Sequence, residues 1–421
     1  MRQRKILGTA LAALMIVTII FVFAHAASAQ KFKVLHVFDG KDGANPQGPL
    51  IFDAAGNLYG VTFNGGLSSG NCWDGSCGTV YELTPNGDGT WIHKVLHYFT
   101  GDEDSNPEMG VIFDAAGNLY GMTNGGPHSG NVYELTPQIG GDWSYGVLYQ
   151  MGGAYDGNPG GGMIFDAAGN LYGTTEWGCG YGWGVACVFQ MVPNGGSWTF
   201  NLLYGLDFMG STGWFPNGTT PIFDAKGNLY ATAELGGLGS SNCSSYGCGV
   251  VFELSPSQNG PWTLTDLHVF TGGVDGGDPI CPLAFDAAGN LYGTTSLAGK
   301  YGYGNVFELS PTGDGTWKGQ VLHQFTGGKD GGAPTAGVIL DAAGKLYGTT
   351  TKGGAYGFGV VYRLTPTRSG GWKEAVIHAF RNNTSANPNY SNLILDAAGN
   401  LYGTVAGDDA TTAGKVFEIM P

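Results

Sequence analysis

The chain has 421 residues, of which only 12% are charged, with 77 glycines, 13% aromatics and a formal net charge of −15. An acidic chain without a basic run is a poor partner for nucleic acid or for an anionic lipid surface, because both demand a positive patch. With so few charges, its surface must be built largely from Gly, Ser, Thr, Asn and aromatic groups.

The chain opens as a secretory leader: basic Met1–Lys5, an apolar stretch from Ile6 to Phe23, then Ala27-Ser28-Ala29. Cleavage after Ala29 is expected, with an uncleaved membrane anchor as the alternative. Losing Arg2, Arg4 and Lys5 takes the formal charge from −15 to −18. The mature chain, 30–421, is then an exported protein, extracellular or periplasmic, with no membrane attachment after cleavage. That length is ample for one core and is not to be cut into separate domains.

From Phe52 onward one phrase is written seven times. It reads FDAAGNLYG at Phe52–Gly60 and Phe113–Gly121 and recurs at Phe165, Phe223, Phe285, Leu340 and Leu395. Its aspartates are Asp53, Asp114, Asp166, Asp224, Asp286, Asp341 and Asp396, spaced by 61, 52, 58, 62, 55 and 55 residues. Self-similarity on that scale signals a repeat architecture. Each unit also carries a VLHxF-like run, a Gly/Asp-rich loop closing on Pro, and a VFELTP-like run such as Val80–Pro85 or Val306–Pro311. These runs are short, rich in Val, Phe, Tyr, Leu and Thr, and bounded by Gly, Asn, Asp or Pro, as strands are. DAAGN and PxGDG supply the turns, and no sustained helical period appears.

Four antiparallel strands per unit, seven times over, predict an all-β, seven-bladed β-propeller. The mature chain opens with a spare VLHxF strand at Lys31–Phe38, and the last unit ends after its VFE strand. Pairing the two closes the ring and removes an open edge.

The pair of motifs [FL]DAAGNLYGTT and VFELTP resembles the GloVer tandem-repeat family of exported bacterial proteins, over nearly all of the mature chain. The resemblance implies export and implies no shared activity. In that family the repeats precede surface anchors, whereas no anchor is expected here after Pro421.

Six cysteines fall in close pairs, Cys72/Cys77, Cys179/Cys187 and Cys243/Cys248, each between the second and third strands of a blade. In an exported chain these read as three local disulfides, each contributing roughly 2–3 kcal/mol on the chain-entropy model. Zinc is the rival reading, but the spacings are irregular and neighbouring His ligands are missing. Cys281 is left over and is expected as a buried free thiol.

A residue present in nearly every blade is there because every blade needs it. The seven aspartates therefore read as turn caps rather than ligands. His36, His97, His268, His323 and His378 share a position that Tyr149 and Tyr204 fill elsewhere, so they read as outer-strand packing. The Glu of VFELTP becomes Gln190 and Arg363 in two blades, which argues against a shared charge role.

Function is expected where blades differ, in the fourth-to-first and second-to-third loops of one face. Trp73, Trp177, Tyr181, Trp183, Trp214, Tyr301 and Tyr356 are the candidate ligand-binding residues there. Rings beside Asn, Asp and Gly suit a carbohydrate or a protein surface. No GxSxG, HExxH or P-loop is present, and neither a catalytic residue, a cofactor nor a metal site is assigned. Calcium held by Asp102/Asp104 or Asp275/Asp278 stands as the metal alternative. The leading expectation is a monomeric secreted binding propeller for an extracellular polysaccharide or surface protein. A lyase or hydrolase acting on a polysaccharide or lactone through Glu176 and Asp207, and a structural envelope protein, are the alternatives.

Overall fold

A computed structural model describes residues 31–67, 72, 76–102, 104–125, 130–152, 157–176, 178, 185–207, 213–237, 243, 246–257, 260–381, 388, 392–407 and 413–420. Strands account for the regular structure, with no helix among the described residues, in seven sheets of four antiparallel strands. In blades 1 to 6 the four strands follow one another from the innermost outward. Blade 7 differs as the sequence predicts: its outermost strand is Lys31–Val37, paired with Gly414–Met420 in the register Lys31↔Met420 to Val37↔Lys415.

The DAAGN turn explains why the phrase is repeated. In blade 1 Asp53 Oδ1 accepts from the backbone N–H of Ala55 (2.9 Å) and Asn57 (2.8 Å), while Oδ2 accepts from Asn57 Nδ2 at 2.7 Å and from the Tyr59 hydroxyl at 3.2 Å. Gly56 takes φ +87°, where any Cβ would be strained. The backbone bonds recur in all seven blades. Blade 6 has Lys345 in place of Asn, and its ammonium sits 3.6 Å from Asp341.

The Tyr of the same phrase ties each blade to the next. The one hydroxyl proton of Tyr59 is shared between Asp53 and Glu82 Oε1, which lies 2.9 Å away, and its ring meets Phe113 of blade 2 edge-on at 5.0 Å and Trp143 at 6.2 Å. The pattern continues with Tyr120 on Phe165 and Trp198, Tyr172 on Phe223 and Trp262, and Tyr230 on Phe285 and Trp317. Tyr402 of blade 7 closes the cycle on Phe52 and Trp91. The Glu that recurs from blade to blade is therefore a hydrogen-bond partner of Tyr. Where it is Gln190, the amide donates to the Tyr172 hydroxyl at 2.6 Å, and that hydroxyl still donates to Asp166 at 3.0 Å.

Two further features refine the sequence reading. The innermost strand is nine residues long in blades 1 and 2 but two in the other five, such as Ile164–Phe165. Every blade also shifts register once between its third and fourth strands, as at Val80/Tyr81. One residue of the outer strand, Leu96 in blade 1, is bulged there, which twists the outer edge.

Two of the expected disulfides, Cys72–Cys77 and Cys243–Cys248, are present. Cys187 is bonded as well, and Cys179 lies outside the described residues. Cys281 is a buried free thiol whose Sγ lies 3.3 Å from the Thr294 carbonyl, and burial raises its pKa.

Blade 1 offers a paired test of these roles. The Tyr81 hydroxyl is fully buried with no partner, at a position where other blades use Phe189, Phe252, Phe307 and Phe417. Tyr81→Phe should leave stability unchanged or raise it by up to about 1 kcal/mol, whereas Tyr59→Phe should cost about 1–2 kcal/mol. Denaturant titration of both variants checks this, and equal effects would refute the assignment.

Candidate functional site

The fourth-to-first and second-to-third connections share one face of the ring, and there they interlock. Gly277 and Leu297 exchange two backbone bonds (3.0 and 3.1 Å), as do Trp214 and Leu235 (2.8 and 3.0 Å). The residue before the loop proline donates its N–H to the preceding blade: Asn45 to Ala413, Asn106 to Cys77, Asp278 to Cys248, Ala333 to Tyr303. To do so these four adopt φ between +51° and +58°, a costly conformation for residues with a Cβ, held by the bonds on both sides.

Two sets of side chains rise from this frame. The first is aromatic. Tyr246, Tyr301 and Tyr356 stand at one repeat position in YGxG loops of blades 4, 5 and 6, each followed by a glycine with positive φ. They are 47%, 47% and 46% exposed. The Arg381 guanidinium lies 4.4 Å from the Tyr356 ring centre and donates to its hydroxyl at 2.6 Å; Lys300 Nζ lies 5.0 Å from the Tyr301 ring centre. Trp214 behaves differently. It is 5% exposed, packed among Ala233, Val250 and Phe215, with Tyr246 edge-on at 5.8 Å. Trp73, Trp177, Tyr181 and Trp183 lie outside the described residues.

The second set is acidic. Glu108 lies on the innermost strand of blade 2, Ser105–Phe113, and Glu176 and Glu234 directly follow the second strands of blades 3 and 4. Asp278 precedes the loop proline at the entry to blade 5. Blade 3 carries Gly160 where blade 2 has Glu108, and a Cβ on it would lie 2.3 Å from Glu176 Cγ. The missing side chain leaves the space that Glu176 fills against Gly160.

Burial, and then the charge of Glu176, raise the Glu108 pKa to about 8 against an opposing bond from Asn124. Burial followed by Asp278 and Glu176 lifts Glu234 to about 7, opposed by Asn217, and burial raises Asp278. Like charges sharing a desolvated region cannot all ionise. None of the ion pairs among the described residues includes Glu108, Glu234 or Asp278. The four carboxyl groups do not bring three ligand atoms within 4.8 Å of one another, so they form an extended acidic arc rather than a compact cation cage.

Sequence reasoning named Glu176 but missed Glu108 and Glu234. A signal was available, because Glu176 and Glu234 occupy the position after LYGTT or LYATA that Ser296 and Thr351 fill in blades 5 and 6. Asp207, the other expected carboxylate, ends the outermost strand of blade 3, Ser197–Asp207, far from the innermost segments in strand order. Asp275 and Asp330, in loops considered for calcium, are committed to closing them: each accepts from the backbone N–H (2.9 Å) and hydroxyl of a threonine, Thr271 or Thr326.

Among solved structures the chain resembles a Bacteroides uniformis protein provisionally assigned as a 6-phosphogluconolactonase, at 14% identity, covering 79% of this chain and 85% of that one with a TM-score of 0.50. A Thermus thermophilus protein provisionally assigned as a glucose dehydrogenase covers 93% of this chain and 100% of its own at 13% identity and TM-score 0.43. At such identities the likeness is one of fold. No curated protein sequence matches. The family model of the Gloeobacter/Verrucomicrobia repeat matches residues 68–243 and 238–421, which takes in both sets of side chains, and the chain belongs to that family.

Proposed function

We propose that the protein is an exported binding propeller whose loop face takes an extracellular carbohydrate. Tyrosine rings would stack on apolar sugar faces, and the carboxylate arc would accept bonds from hydroxyls. The observation that carries this reading is the recurrence of one half-exposed tyrosine, Tyr246, Tyr301 and Tyr356, at equivalent places in three consecutive blades. A core does not need these rings where they stand, and each is left about half exposed, with Lys300 and Arg381 over one face of Tyr301 and Tyr356.

Co-sedimentation of the mature protein with insoluble polysaccharides, with sizing of any released product, tests the reading. Replacing the three tyrosines by Ala should weaken retention by roughly two orders of magnitude, at about 1 kcal/mol per ring. Unchanged retention by the folded triple variant would refute the site. Retention by no polysaccharide, with capture of a surface protein instead, would move the same rings to a protein interface.

A second reading, hydrolysis or lyase chemistry, is favoured by one observation: Glu108 and Glu234, raised to about 8 and 7, both feel the charge of Glu176. Carboxyl groups with separated pKa values are what general acid–base catalysis uses. It predicts product release that is lost in Glu234→Gln, and retention without products counts against it.

The raised pKa values have a consequence for stability. A carboxyl raised on folding is a proton that the native state holds and the unfolded state releases, so its contribution is complete below about pH 4.5 and is lost as pH rises through about 8 for Glu108. Glu108→Gln should therefore melt progressively higher than wild type from pH 5 to pH 9, with the difference shrinking toward acid pH. A difference independent of pH would refute the raised value.

A further inference from the structure

Ring closure brings together three side chains that no other blade boundary assembles. Outer-strand rings stack across several boundaries: His97 on Tyr145 at 4.1 Å, Tyr149 on Phe200 at 5.0 Å, and His378 on Phe32 at 4.1 Å. In the two boundaries that follow His268 and His323, the facing position holds Gly319 and Glu374. Between the closing strand and blade 1 the facing pair is His36 and His93, with ring centres 4.0 Å apart.

Asp42 lies between them. Its Oδ2 is 2.8 Å from His36 Nε2 and 3.8 Å from His93 Nδ1, and the three atoms all lie within 4.8 Å of one another. The His–Asp half of this group is ordinary for the fold, since His268 lies 3.4 Å from Asp275 and His323 lies 3.3 Å from Asp330. The departure from the repeat is His93. Packing alone would be met by the Tyr or Phe that other blades place there. Instead the chain buries an imidazole whose Nε2 has no hydrogen-bond partner and whose Nδ1 faces the carboxylate.

We propose that His36, Asp42 and His93 bind one divalent transition-metal ion of the Zn2+ type and thereby tie the closing strand to blade 1. Two imidazole nitrogens and a carboxylate oxygen are the donor set such ions prefer, and three protein ligands leave a fourth position for water. The group is reachable from solvent, with 18%, 24% and 11% of the His36, Asp42 and His93 side chains exposed. The rings now lie 5° from parallel, so loading the ion turns His93 off the stack until Nδ1 points at it. The site joins residues of the closing strand, the loop after it and the outermost strand of blade 1, which is where an ion would resist opening of the ring.

Zn2+ titration of tag-free mature protein by calorimetry, with melting curves, tests this. Wild type should bind one Zn2+ per chain and melt higher when loaded. His93→Tyr keeps the stack, as Tyr145 does on His97, but supplies no imidazole, and it should bind more than about tenfold more weakly, as should Asp42→Asn. No saturable binding by wild type, or equal affinity in a folded His93→Tyr, would overturn the proposal. If the variants do not fold, NMR of the wild-type imidazoles decides: Zn2+ should shift His36 and His93 selectively, and uniform or absent shifts would overturn it.

Discussion

The hydroxyl and ring of one tyrosine per blade hold this ring together. Within the blade, Tyr59 ties the DAAGN turn to the third strand through Asp53 and Glu82; across the boundary, its ring seats Phe113 and Trp143. Edge-on aromatic pairs contribute about 0.5–1.5 kcal/mol beyond the area they bury, and the hydroxyl's bonds hold the ring in the one orientation that makes them. The arrangement also dictates closure. Tyr402 of the last blade would face solvent without a partner unless Phe52 and Trp91 of the first came round to meet it. The N-terminal strand then completes blade 7 through its main-chain ladder and through Phe32, which packs on Phe417 and His378, so closure is secured twice, once by the tyrosine boundary and once by the added strand.

This explains how much of the fold was legible. A DAAGN turn is satisfied inside five residues, so its chemistry is local and the sequence states it seven times. Strand count and the spare first strand follow by arithmetic. The role of Glu82 was less legible. Its exchange for Gln190 and Arg363 argues against a charge shared by every blade, yet a hydrogen bond to tyrosine survives the exchange for Gln190. Whether the group accepts or donates, the tyrosine can answer, because a hydroxyl does both.

The candidate site was legible only in part. The same loop face was indicated, yet Trp214 and Tyr301 look alike as loop aromatics in a sequence and differ in the molecule. The Trp214 segment pairs with Leu235 and presses the indole onto Ala233 and Val250, while the YGxG loop turns Tyr301 outward. The acidic arc was harder still. Its members come from an innermost strand, two second-strand ends and a loop, and the segment from Glu108 to Asp278 crosses three blade boundaries. No spacing rule joins them; only the ring does.

The two faces of the ring show why the loop face is the better candidate. On the turn face, grooves of about 670 and 450 Å³ open at the boundaries of blades 3/4 and 2/3, lined by Tyr172, Trp262 and Asp166, and by Tyr120, Trp198 and Asp114. Their aromatic walls are inviting, but the carboxylates in them are spent: Asp166 Oδ1 accepts two backbone N–H groups, and Oδ2 accepts Asn170 Nδ2 and the Tyr172 hydroxyl. Four bonds use the acceptor capacity of both oxygens. On the loop face Glu108 and Glu234 are each opposed by a bond from a single asparagine, Asn124 and Asn217, and are buried enough that ionisation is resisted. A desolvated carboxyl with acceptor capacity to spare gains more from a ligand hydroxyl or cation than a capped one can. The repeat thus consumes its polar groups where every blade is alike and leaves them unspent where the blades diverge.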